Sequence, residues 1–363
     1  MKQLLKELTS LNGTPGYEQD VVTYLTEKLT NMVDELTVDP LGSVIAVKKG
    51  RGNQAPAILL SAHLDEVGFI IKKIEQNGLL RFEKNGGNDD RTLLAQKVTV
   101  KSNKGPLLGV IGTISAHYAK FDDPAKVRIH RELYIDVGAR SKQEAVEMGI
   151  EVGQAVTWYS EMATLGDGRG SRLVGKSFDD RAGCAVLIKC LEELRGTDHQ
   201  ADIIAVFSVQ EEVGLRGATV AAYDYQVDVA LAVDTTAVSD TPENLMDDSL
   251  GIGRGPGIKV QDFSLVSHPF VKMRLVEQAK KLGIPYQLEV FPGIGTDAGA
   301  IHKQKGGIPS GVVSIPSRYA HSPVEVIDYN DLVQCEQLVR QFILSITSKE
   351  EIRFLYGHRS VQR

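Results

Sequence analysis

DIIAVFSVQEEVGLRG, residues Asp202 to Gly217, is the stretch on which the fold turns. From Ile203 to Gln210, seven of eight residues are apolar or small and several are β-branched. A strand buried on both faces of a sheet reads this way, although so short a run also fits a buried helix segment. The run stops at two adjacent carboxylates, Glu211 and Glu212, followed by Gly214 and Gly217. Neighbouring carboxylates at a strand end repel each other and lose hydration. A solvated turn would accommodate them. A cation would explain both, with one glutamate as ligand and the other free to move protons.

Further apolar runs end in the same manner. Ala57 to Ala62 leads directly into His63-Leu64-Asp65-Glu66-Val67-Gly68, where the H-x-D spacing lets Asp65 fix the tautomer of a nearby imidazole. Asp228 to Val233 ends on Asp234, and Gly311 to Ile315 leads towards Arg318 and His321. Asp179 and Asp180 stand at the head of a helix expected to run from Phe178 through Leu194. Amphipathic patterns predict further helices at 17–32, 268–282 and 328–346, and one in MKQLLKELTSL, which is read as a helix rather than a signal peptide. Strands that alternate with helices predict an α/β/α sandwich. In such a sheet the carboxyl ends of the strands form a crevice where distant residues meet. Two histidines and three carboxylates there, one of them bridging, are enough for two divalent metals, and imidazole with carboxylate suits Zn, Co or Mn. Such metals would lower the pKa of a bridging water and polarise a carbonyl, leaving an unligated carboxylate to take the proton.

Between Phe69 and about Thr164 the texture changes to short alternating segments such as FIIKKIE, LLRFEK, KVTVKS and AVTWYS, separated by turn signals. This predicts an inserted β-barrel or sandwich at 69–164, with 1–68 and 165–363 forming the main domain. His117 and His130 lie in the insertion without a ligand pattern and are assigned structural or surface places. Gly170 to Ser177 matches the P-loop pattern G-x-x-x-x-G-K-[ST], but no buried strand precedes it, and Arg172 to Val174 read as a strand of their own. Gly251 to Val260 is expected to be a tight loop lining a cleft rather than an anion-binding nest.

The chain has 363 residues, 42% hydrophobic and 24% charged, and a net charge of -6, which makes a general nucleic-acid binder improbable. No apolar run approaches the ~18 residues that cross a bilayer. Cys184, Cys190 and Cys335 lack C-x-x-C spacing and are expected as reduced core residues of a cytoplasmic protein.

Together HLDEVG (63–68), FDDRAG (178–183), QEEVGLRGA (210–218), AVDTT (232–236), GTDAG (295–299) and PSRYAHSP (316–323) resemble the M42 family of metalloaminopeptidases, which includes glutamyl aminopeptidases and TET peptidases. The resemblance spans essentially the whole chain, insertion included. It implies a dinuclear aminopeptidase acting on short peptides, assembled as a tetrahedral dodecamer partly through the insertion. It further implies that His63 and Asp234 hold one metal, Glu212 and His321 the other, and that Asp179 bridges them. Glu211 would then be the general base and Asp65 would orient His63. Arg318, three residues before His321, is a candidate grip for an acidic substrate side chain, with an ion pair to Glu325 as the alternative. The competing readings are a related metal-dependent deacylase or carboxypeptidase, a P-loop nucleotide hydrolase, and a non-enzymatic peptide-binding scaffold. Family members have been described as endoglucanases, but adjacent glutamates are poorly placed to flank a glycosidic bond.

Overall fold

A computed structural model describes residues 1–52, 55–123, 125–243 and 248–354. The strands in chain order are β1 (Glu35–Val38), β2 (Val44–Lys48), β3 (Ala57–His63), β4 (Gly68–Ile74), β5 (Leu80–Asn85), β6 (Lys97–Ser102), β7 (Gly105–Ile111), β8 (Ile135–Asp136) and β9 (Ala155–Trp158). They continue with β10 (Ala163–Thr164), β11 (Arg172–Gly175), β12 (Asp202–Ser208), β13 (Val229–Ala237), β14 (Gly257–Asp262), β15 (Gln287–Phe291), β16 (Ser310–Arg318) and β17 (Glu325–Asp328). The α-helices are α1 (Lys2–Ser10), α2 (Gln19–Leu29), α3 (Lys142–Glu147), α4 (Phe178–Glu193), α5 (Arg216–Val220), α6 (Pro269–Leu282), α7 (Ala298–Ile301) and α8 (Tyr329–Ser345).

The main sheet has eleven strands, with the path β1-β2-β12-β3-β13-β16-β17-β11-β10 and with β14 and β15 attached beside β16. Its centre, β12-β3-β13-β16, is parallel; the path on either side is antiparallel, and the attached β14 and β15 are parallel to each other. The unbroken apolar runs follow from burial on both faces. Ile203, Ala205 and Phe207 of β12 enter the larger core with α1, α2, α4, α6 and α8, while Ile204 and Val206 enter the opposite core with Ala218, Ala221, Ala222 and Ile301. Each strand thus serves two helix layers at a period of two, giving an α/β/α sandwich.

The second body is a closed antiparallel barrel, β4-β5-β8-β7-β6-β9, with Phe69 set edge-on to Phe82 and to Trp158, both at a centroid distance of 5.0 Å. Strand β10, inside the stretch expected to be barrel, pairs instead with β11 in the main sheet. The barrel segment also contains α3, which the alternating texture did not suggest. Its signal is Ser141-x-x-Glu144, where the serine hydroxyl caps the Glu144 amide. Helix α6 buries Val271, Leu275 and Ala279 as expected, but Leu282, at its last residue, is exposed.

Three local departures bear on the site. Strand β12 ends at Ser208, and the chain turns through Gln210 (φ 56°) before reaching Glu211. Asp234 lies inside β13 rather than after it. The ladder to β3 closes at Ala232–Ser61, so β13 continues past its neighbour along β16 alone. Asp179 and Asp180, within the first turn of α4, have non-helical backbone angles, so the regular part of that helix begins after them; the peptide joining them is cis.

Candidate metal centre

The parallel strands β12, β3, β13 and β16 all run the same way, so their carboxyl ends share one rim. His63 is the last residue of β3, Asp234 projects from β13, Glu211 and Glu212 follow β12, and His321 follows β16. Asp179 reaches the same place from the start of α4. One of its oxygens lies 3.2 Å from His63 Nε2 and the other 3.2 Å from His321 Nε2. Asp234 Oδ1 is 3.8 Å from His63 Nε2, and Glu212 Oε1 is 3.2 Å from His321 Nε2. The donors form two groups, His63/Asp179/Asp234 and Asp179/Glu212/His321, which share Asp179. Glu211 belongs to neither and lines the same cleft.

Both imidazoles are held from behind by main-chain carbonyls. His63 Nδ1 is 3.0 Å from the Asp65 oxygen, and His321 Nδ1 is 2.6 Å from the Gly87 oxygen. A carbonyl only accepts, so each Nδ1 carries a proton and Nε2 is the ring atom turned towards the carboxylates. Nε2 facing carboxylate oxygens at about 3 Å calls for positive charge there, as a second ring proton or as a bound cation. The carboxylates press both rings towards the charged form accordingly. Burial alone would push His63 down, but its bonds with Asp179 and Asp65, and the charges of Glu211 and Asp234, hold it well above the usual range. Burial likewise works against the charged form of His321, and the Glu212 charge and Asp179 outweigh it. Burial pushes the carboxyls of Glu211 and Asp234 well up. Beyond its contact with His321 Nε2, the buried Glu212 Oε1 has no hydrogen-bond donor among the described residues. This donor set fits divalent cations.

Buried carboxylates outside the two ligand groups support the centre. Asp180 accepts from the His63 amide at 3.2 Å and from Gly183 at 2.9 Å. Glu325 accepts from the amides of Asp179 (3.1 Å) and His321 (3.0 Å), and burial beside Asp179 pushes it up to about 8. Asp297, of the GTDAG segment, takes the hydroxyls of Ser61 and Ser208 at 2.5 Å each. Asp65 itself accepts from the amides of Glu211 (2.9 Å) and Glu212 (3.1 Å), while its carboxylate is 3.6 Å from His63 Nδ1. Its carboxylate therefore grips the glutamate turn, and its carbonyl is the nearer partner of the ring.

Other motifs resolve differently. Lys176, of the G-x-x-x-x-G-K-[ST] match, is buried with its amine on Glu66 at 2.7 and 2.8 Å and on the Leu11 carbonyl at 3.1 Å, and the residues before it form β11. That is no phosphate cradle. The glycine-rich 251–260 segment does not line the cleft. The amides of Gly253 and Gly255 instead receive the carboxylate of Asp331, so the nest is filled internally. Arg318 is forked onto Asp240 at 2.6 and 3.0 Å, not onto Glu325, and it does not line the cleft either; its two-pronged geometry is already used. His130 pairs with Glu83 at 2.8 Å, and His117 sits on the exposed segment 116–121. The barrel contributes more than scaffold: Gly87 holds His321, and Asn88, Asp89, Thr92 and Gln96 help line a cleft of about 1170 Å³. That volume is at the upper end of the range for small-ligand sites.

Fold and centre together define an α/β/α protein, interrupted by a barrel, with a histidine–carboxylate site suited to divalent cations. The family profile of the M42 glutamyl aminopeptidases matches residues 42–338, and the chain belongs to that family. It is similar to an aminopeptidase from the archaeon Desulfurococcus kamchatkensis, with 42% identity, a TM-score of 0.91 and coverage of 98% of this chain and 97% of that one. A lysyl aminopeptidase of Pyrococcus furiosus is 33% identical over 94% of this chain and 96% of its own length. The Pyrococcus horikoshii TET1 peptidase, described as assembling into a tetrahedron or a large octahedral shell, matches with 32% identity, a TM-score of 0.85 and coverage of 95% and 99%.

Proposed function

We propose that this chain is a dinuclear metal-dependent aminopeptidase that releases N-terminal residues from short peptides. The observation that carries the proposal is Asp179, whose two oxygens face the two imidazoles, so that it would serve both ligand groups. His63 and Asp234 would hold one ion and Glu212 and His321 the other. Imidazole and carboxylate donors without thiolate suit Zn, Co or Mn. Once bound, such a pair supplies Lewis-acid polarisation of the scissile carbonyl and a nucleophile at neutral pH. Glu211, outside both ligand groups, is the chain's own proton carrier. It takes the proton of the attacking water and returns it to the departing amine. Asp65 sets where that carboxylate stands by holding the amides of Glu211 and Glu212.

Among the described residues no lysine or arginine lines the cleft, so nothing there would receive a substrate's C-terminal carboxylate, which supports an aminopeptidase over a carboxypeptidase. Assembly into a tetrahedral dodecamer is part of the proposal, supported by the likeness to TET1 and by the exposed Tyr118 and Phe121 on the inserted segment. The inserted segment 69–164 would carry the assembly contacts. The three cysteines are free and buried, in keeping with a reducing, cytoplasmic setting. The test is hydrolysis of free and N-blocked aminoacyl chromogenic substrates by chelator-stripped protein, repeated after adding Zn, Co or Mn, with metal content measured alongside. Activity that survives stripping, or equal cleavage of N-blocked substrates, would sink the proposal.

A further inference from the structure

Away from the ligands, one part of the cleft wall, formed at or after the ends of β12, β13, β14, β15 and β16, carries an apolar patch beside polar residues such as Asn88, Gln96 and Ser264. Leu215, Ala237, Phe263, Ile294, Tyr319 and Val324 make up the patch. Phe263, Tyr319 and Val324 leave 82%, 55% and 52% of their surface uncovered, although they face a concave site. The Phe263 amide donates to the Ile294 carbonyl at 2.9 Å, which ties the two loops bearing these side chains to each other.

Among the described residues, charge on this wall outside the ligand set and Glu211 is confined to one carboxylate. No lysine or arginine among the described residues lines the cleft, and Arg318, the nearest candidate by sequence, is engaged by Asp240. Apart from the ligand set and Glu211, the wall's only carboxylate among the described residues is Asp89. Arg91 holds that group with its Nε at 3.0 and 2.9 Å and with its amide at 2.9 Å. An acidic or basic side chain seated here would lose hydration without gaining a counter-charge, whereas an aliphatic or aromatic one would gain by leaving water.

We infer that this enzyme selects peptides whose N-terminal residue is uncharged and apolar, and discriminates against glutamyl and lysyl peptides. The inference rests on the aminopeptidase reading and sets this chain apart from the glutamyl description of its family and from its lysyl relative.

The experiment measures kcat/KM of the metal-loaded enzyme for leucyl, methionyl, phenylalanyl, glutamyl, aspartyl and lysyl p-nitroanilides. Leucyl or another apolar substrate should exceed glutamyl and lysyl at least tenfold. Calorimetry on the Glu211→Gln variant should rank leucinamide above glutamic acid α-amide in affinity. Phe263→Lys, at a position already exposed, should raise the glutamyl-to-leucyl ratio at least tenfold. Glutamyl or lysyl cleavage equal to or faster than leucyl overturns the inference while leaving the aminopeptidase reading intact. An unchanged ratio in Phe263→Lys overturns the assignment of this wall. Failure to hydrolyse any of the substrates overturns the aminopeptidase reading and the selectivity with it.

Discussion

Replacing Lys176 by Met tests how the N-terminal segment is fastened to the loop that carries Asp65. Lys176 and Glu66 are 3% and 2% exposed at their side chains, and the amine meets both carboxylate oxygens and the Leu11 carbonyl. Methionine fills a similar volume and removes the charge, leaving Glu66 buried without its main partner. Breaking a buried pair from one side costs about 3–5 kcal/mol. Some compensation remains, because Arg181 NH2 lies 3.9 Å from Glu66 Oε1 and the Gly13 amide donates to it at 3.2 Å. The expected loss is therefore near the lower end, about 3 kcal/mol. For a chain of 363 residues the unfolding entropy is about 0.8 kcal/mol per degree, so Tm should fall by about 4 °C. Adding Glu66→Gln removes the stranded charge, and the double variant should recover most of the loss. Differential scanning calorimetry and urea unfolding of the three variants supply the readout, with ATP titration as a control. A Lys176→Met protein that melts like wild type, or a double variant less stable than the single one, would refute the argument. Loss of nucleotide binding in place of stability would revive the P-loop reading.

Glu211→Gln should keep both metals while kcat falls by ~10²–10⁴, whereas Glu212→Gln should lose one metal; elemental analysis paired with kcat decides, and the reverse pattern would swap the two roles. Glu325→Ala frees the amides of Asp179 and His321, and should weaken metal retention by roughly 10- to 100-fold in a chelator competition; unchanged retention would show that Glu325 does not position the ligands. Glu18, which accepts from the Gln210 amide at 3.1 Å, is pushed by burial, and then by the charge of Asp65, from 4.5 up to about 7. A carboxyl raised in the fold contributes its full stability below pH 4.5 and progressively loses it as pH climbs through 7. Glu18→Gln should therefore gain about 3 kcal/mol on wild type across that window, and a pH-independent difference in unfolding free energy would contradict it.

The parallel centre of the sheet was legible because burial on both faces writes an unbroken apolar run into β3, β12 and β13, and each run ends in a polar motif. The flanks were harder to read. Strand β15 alternates buried Gln287 and Glu289 with exposed Leu288 and Val290, the reverse of a core-facing strand, because Glu289 closes on the buried Lys259 at 3.0 Å. Arg318 shows a similar limit. Its proximity to His321 in sequence suggested a role in the cleft, and the chain instead brings Asp240, 78 residues away, onto its guanidinium. Gly87, which holds His321 from within the barrel, has no side chain and left no pattern to find.

Which backbone amide each supporting carboxylate takes was not legible in the sequence, even for Asp65, whose place at the site was expected. Asp65, Asp180, Glu325 and Glu18 each place a carboxylate on main-chain amides of the site: those of Glu211 and Glu212, His63, Asp179 and His321, and Gln210. Every residue but proline carries an amide, so nothing in residue type or spacing marks which one a buried carboxylate will take. Chemically the choice is informative. Holding a ligand residue by its backbone fixes its direction and leaves its side-chain donor atoms free to coordinate. It also packs additional carboxylates around Asp179, Asp234, Glu211 and Glu212, where burial already drives Asp180 and Glu325 well up. Such crowding would destabilise an uncharged pocket, yet it raises the attraction for divalent cations from every side. The supporting carboxylates therefore act on the centre twice, through geometry and through charge. Neutral replacements such as Glu325→Gln separate the two, because they retain an acceptor oxygen while removing the charge.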